Sequence, residues 1–67
     1  MKIFAERLKE LREEKNISLN VLAKEIGTSA MAISRWERQL RTPNIEDLKN
    51  IAIYFGVTTD YLVGLED

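Results

Sequence analysis

Apolar residues recur along the chain at helical rather than strand spacing. Phe4, Leu8 and Leu11 fall three and four residues apart within a charged run, which predicts an amphipathic helix over residues 2–14 with one buried stripe. Asn16 tolerates the left-handed backbone conformation that closes many helices, and Ser18 offers a hydroxyl cap to the next, with Ile17 and Leu22 at staple spacing around it. Leu22, Ala23 and Ile26 form the inner face of a second helix, over about residues 19–26. Gly27 ends it, and Ser29 caps a third helix, over about residues 30–37, whose inner positions are Ile33 and Trp36. Gln39 to Pro43 reads as a loop. Asn44, with Asp47 three residues on, opens a fourth helix carrying Ile45, Leu48, Ile51, Ala52 and Phe55. Gly56-Val57 breaks that helix, Thr58 caps a last short one through about Val63, and Gly64 ends it. With no alternating run, repeat or low-complexity tract, the pattern predicts five helices in one all-α domain over residues 1–67.

Composition narrows the function more than the fold. A chain of 67 residues, 45% hydrophobic and 31% charged, supports a single small core and little room for a large binding cavity. Cysteine and histidine are absent, which removes disulfides, thiolate zinc sites, the commonest metal ligand and the commonest general base. The serines and threonines therefore lack a histidine partner. The glycines at 27, 56 and 64 form no phosphate-binding loop, and Glu13-Glu14 falls on a solvated helix face, so neither an enzyme nor a cofactor is expected. No stretch approaches the roughly 18 apolar residues of a membrane span, and charge arrives too early for a signal peptide; a cytoplasmic, nucleoid-associated protein is expected. The net charge of −1 conceals a gradient: residues 17–43 carry Lys24, Arg35, Arg38 and Arg41 against Glu25 and Glu37, whereas residues 44–67 carry Lys49 against five acids. A basic middle and an acidic end suit one face for an anion and another that avoids it.

Two short helices joined at one glycine, with Ala23 four residues before Gly27 to admit close backbone approach, make the pattern of a helix-turn-helix. By spacing alone, a helical hairpin within an ordinary small bundle remains open. Beyond spacing, LKELREEKNIS in the first helix, LAKEIGTSAMAISRWERQ across the motif, RTPNIEDLKNIAIYFGV through the fourth helix and TTDYLVG in the fifth together resemble the Xre and phage-repressor-like (lambda-repressor-like) helix-turn-helix regulators over nearly the whole chain. The resemblance implies sequence-specific binding of double-stranded DNA by a transcriptional regulator, most simply a repressor, with the third helix in the major groove and the second across the backbone.

Roles carried over by the resemblance put base reading at Ser29, Ala30, Met31, Ser34 and Arg35. Arg35 is the strong reader, since a guanidinium can pair with guanine O6 and N7, while Ala30 and Met31 can pack on a thymine methyl; a phosphate contact or solvated charge for Arg35, and core or dimer contact for the other two, are the alternatives. Phosphate contacts are implied for Ser18, Thr28, Ser29, Arg38 and Arg41, with ordinary loop solvation the alternative for the two arginines. Arg12 and Glu37 match a structural ion pair between the first and third helices, and Trp36 is expected in the core. The chain departs from the pattern at Leu19, where the family commonly has Gln, at Gln39, where it has Gly, and at Leu40, where it has a polar residue. A homodimer on a palindromic operator is implied, with Phe55, Val57, Tyr61 and Leu65 as possible contacts or simply core residues. Regulation is then expected through a partner protein, or through further domains if this is the DNA-binding piece of a longer protein. A competing function is a protein-interaction module, or an antitoxin-like protein, in which Ala30, Met31 and Leu40 face a protein; Arg35, Arg38 and Arg41 argue against it.

Overall fold

The structure, a computed structural model, describes residues 2–67, and among these all regular structure is helical. The helices are α1 (Lys2–Glu14), α2 (Leu19–Ile26), α3 (Ala30–Glu37), α4 (Ile45–Phe55) and α5 (Thr59–Val63). Each of the last four begins at a side chain that accepts the backbone N–H three residues on. Val21 N–H donates to Ser18 Oγ at 3.1 Å, Ala32 to Ser29 Oγ at 3.1 Å, Asp47 to Asn44 Oδ1 at 2.7 Å and Tyr61 to Thr58 Oγ1 at 2.9 Å. Such caps satisfy a donor the helix itself cannot, at about 1 kcal/mol each.

The five helix ends share one closure. A residue in the left-handed region turns the chain, and the next N–H bonds back to the carbonyl five residues earlier. Asn16, Gly27, Gln39, Gly56 and Gly64 occupy the turning position. The bonds run from Ile17 to Arg12, Thr28 to Ala23, Leu40 to Arg35, Val57 to Ala52 and Leu65 to Asp60, at 2.8–3.3 Å. Gln39, at φ 63°, is the one that sequence reading placed simply in a loop, and its position accounts for a family pattern with Gly there.

Every helix contributes a fully buried side chain to one core: Phe4 and Leu8 from α1, Leu22 from α2, Ile33 from α3, Ile51 from α4 and Leu62 from α5. Trp36 joins them and meets Phe4 edge-on, with ring centroids 6.4 Å apart. Leu19 packs against this cluster at the start of α2. Ile45 departs from expectation, being 86% exposed instead of part of the inner face of α4. As the first residue of its helix it projects its side chain backward, past the helix end, because Cβ atoms tilt toward the N-terminus. Among the described residues no helix is long and apolar enough to cross a membrane.

Candidate nucleic-acid interface

The turn between α2 and α3 holds the two helices in fixed relation. Gly27 at φ 77° reverses the chain in a conformation costly to a residue with a Cβ, Thr28 N–H locks onto Ala23 O at 2.9 Å, and the buried Ala23 keeps the packing close. With Ile33 and Trp36 fixed inward, the spacing of about 100° per residue turns Met31, Ser34, Arg35 and Arg38 outward. Met31 is 61% exposed and Arg38 is exposed, while Ser34 and Arg35 are half-buried.

A brace sets the far end of α3. Arg12 Nε donates to Glu37 Oε2 at 2.8 Å and Nη2 to Oε1 at 3.0 Å, a bidentate pair with side chains 17% and 9% exposed. Its remaining arm, Nη1, donates to Ile17 O at 3.1 Å. One guanidinium therefore ties α1, the turn after it and the end of α3 together. The hydrogen bonds to Glu37 raise the Arg12 pKa above its ordinary value, against the opposing effect of burial.

Between α3 and the chain leading into α4 lies an open cleft of about 280 Å³. One wall carries Thr28, Ser29, Met31 and Arg35, the other Arg41, Thr42, Asn44 and Asp47, and Trp36 and Ala32 complete it. Two guanidiniums, three hydroxyls and the Asp47 carboxylate thus meet at one concavity. The Ser29 hydroxyl accepts from a helix N–H and so keeps its own proton to donate to an anion. Among the described residues neither Arg35, Arg38 nor Arg41 is ion-paired; the recorded pairs are Arg12 with Glu37 and Lys49 with Glu46.

Four of the residues singled out from sequence on this side of the molecule do not line the cleft: Ser18, Ala30, Ser34 and Arg38. Ser18 caps α2 and is exposed. Ser34 and Arg38 hold each other, with Arg38 Nε donating to Ser34 Oγ at 3.1 Å. Conversely, sequence reading passed over Thr42 and Asp47 as site residues and saw in Asn44 only a cap. Their signal was proximity in sequence to Arg41, in a loop whose path depends on the left-handed turn at Gln39. Of the possible dimer contacts, Phe55, Val57 and Tyr61 are half-buried against the core, while Leu65 is 77% exposed. Tyr61 also lies under the Arg7 guanidinium, 4.2 Å from its ring centre.

Comparison with known proteins places these features in context. Residues 8–62 match the profile of a family described as helix-turn-helix. The HTH-type transcriptional activator BcrR of Enterococcus faecalis is 42% identical over 64 residues, covering 96% of this chain but 31% of that protein. The P22 c2 repressor in complex with a synthetic operator superimposes with a TM-score of 0.86 at 34% identity, covering 92% of this chain and 94% of that one. The N-terminal DNA-binding domain of SinR from Bacillus subtilis gives a TM-score of 0.87 at 29% identity, covering 100% and 96%. This chain spans less than two thirds of the length of the curated relatives it matches, 31% and 58% for two of them.

Proposed function

The chain belongs to the helix-turn-helix family, and from that premise we propose that it regulates transcription by reading an operator in the major groove with α3. The observation that carries the proposal is the cluster on one face of cations that have no ion pair among the described residues: Arg35 and Arg41 on the two walls of the cleft, and Arg38 beyond it on the outward side of the same helix. A face built to meet a protein has no need of three guanidiniums without a carboxylate partner around a short helix, whereas a duplex offers a phosphate to each and a guanine edge to one.

In this reading Arg35 pairs with guanine O6 and N7, and Met31, standing free beside it, packs on a thymine methyl, with Ala30 and Ser29 completing the first turn. Arg38 and Arg41, together with Ser18, Thr28 and Ser29, hold phosphates on either side and fix the register. The surfaces suit a symmetric dimer on a palindromic site, with Leu65 and the exposed edges of Phe55, Val57 and Tyr61 as contact candidates. Direction of control lies outside this domain's chemistry, since one relative is named an activator and another the repressor protein C2. A DNA-bound regulator acts inside the cell, and a regulatory partner or further domain supplies its signal.

Selection of binding sites from a random duplex pool tests the reading. A palindromic winner preferred over a scrambled duplex by about a thousandfold or more is expected of an operator-binding protein. Failure to enrich any sequence would favour the second reading, a protein-binding role, for which the exposure of Met31 at 61% and Leu40 at 63% is the specific support.

A further inference from the structure

Ser34 occupies a reading position on α3, yet both of its oxygens already accept bonds from Arg38, which leaves only the hydroxyl proton to offer a ligand. Arg38 Nε donates to Ser34 Oγ at 3.1 Å and to Ser34 O at 3.4 Å, and the Arg38 backbone N–H donates to the same carbonyl at 3.0 Å. Arg38 is the residue at which α3 ends, its side chain is exposed, and it makes no ion pair among the described residues. One Nε–H shared between these two oxygens biases the side-chain torsions while both Nη groups remain free, and these two nitrogens form the edge that matches two phosphate oxygens at once.

We propose that Ser34 is a positioning residue rather than a base reader: its hydroxyl and carbonyl hold Arg38 so that the Nη edge forms a ready-made fork for one backbone phosphate. The inference rests on the DNA-binding reading above and assigns within it a division of labour. Arg35 and Arg41 serve the cleft on one side of Met31, and the Ser34–Arg38 clamp anchors the duplex on the other. A free arginine at the end of a helix would have to lose rotamer freedom on binding; the clamp removes part of that cost beforehand. The arrangement also explains a serine at an outward helical position where alanine would favour the helix more.

The test is a double-mutant cycle read by anisotropy on the selected duplex and a scrambled one across a salt series, with thermal melts to verify folding. Arg38→Ala is expected to weaken both duplexes alike and to lower the salt slope by about 0.9 per bound protomer. Ser34→Ala is expected to weaken both duplexes by a common factor of about threefold, with the slope almost unchanged because the charge remains. Ser34→Thr, which keeps the hydroxyl, should restore wild-type affinity. In the Arg38→Ala background Ser34→Ala should have no further effect. Loss confined to the selected duplex in Ser34→Ala, or additive losses in the double variant, would overturn the proposal and return Ser34 to base reading or to an independent contact. A wild-type protein that binds neither duplex would instead overturn the DNA-binding reading, and this proposal with it.

Discussion

Arg12 shows how one side chain can fix the geometry on which a surface depends. Its guanidinium engages both oxygens of Glu37 and the carbonyl of Ile17, so each of its three nitrogens has a partner. Removing Glu37 leaves a mostly buried cation with one neutral acceptor, and Glu37→Ala is expected to cost about 3 kcal/mol, the lower end of what buried pairs show, because Arg12 retains some access to water. Urea unfolding would measure this as a lower midpoint at unchanged m-value; a loss under about 0.5 kcal/mol would demote the pair to a surface ion pair. The pair was anticipated from family resemblance, since no rule of spacing connects residues 12 and 37. The bond between Arg38 and Ser34, residues that the resemblance assigned separately to phosphate and base, was likewise not legible, because whether two neighbours on a helix face bond to each other or to solvent depends on rotamers.

At the level of elements, legibility followed locality. Caps and helix ends are settled by one side chain and the backbone beside it, and Ser18, Ser29, Asn44, Thr58, Gly27, Gly56 and Asn16 all stand where their chemistry indicated. Gln39 was missed as a left-handed residue because glutamine has no particular affinity for that conformation; it adopts it in closing α3, where Leu40 N–H bonds back to Arg35 O. Gln39→Gly is therefore expected to stabilise the domain by about 0.5–1 kcal/mol, and Gly27→Ala to destabilise it by about 1 kcal/mol, both by thermal or denaturant unfolding. If Gln39→Gly proved destabilising, its side chain would be making a contact worth more than the strain. Ile45 was misplaced for a related reason, since periodicity gives the face of a helix but not how far neighbouring helices extend along it. The cleft was the least legible feature, because its two walls come from separate segments and their closure is a tertiary fact.

For the molecule as a whole, size sets the margin. A chain of 67 residues has a total stability of about 3–10 kcal/mol at typical values per residue. Leu22 and Ile33 are fully buried, so truncating either to alanine is expected to cost about 2–5 kcal/mol, a large share of that total and enough to unfold the population at the low end of the range. Loss of far-UV circular dichroism in these variants would register it, and retention of the wild-type midpoint would contradict a single shared core. The same smallness limits the DNA surface one copy can cover, and a dimer on DNA is expected by sedimentation; a monomer both free and bound would remove the symmetric arrangement. Four helices' worth of framework thus holds one face of α3 outward, with its arginines in no ion pair among the described residues.

The central claim, that α3 reads base sequence through Arg35, is tested most directly by titrating Arg35→Ala against the selected duplex and its scrambled counterpart at one salt concentration. A bidentate guanine contact is worth about 1–3 kcal/mol, so the selected duplex should lose about 5- to 150-fold in affinity per half-site while the scrambled duplex changes by no more than a few fold. Equal losses on both duplexes would make Arg35 a phosphate contact and contradict the claim.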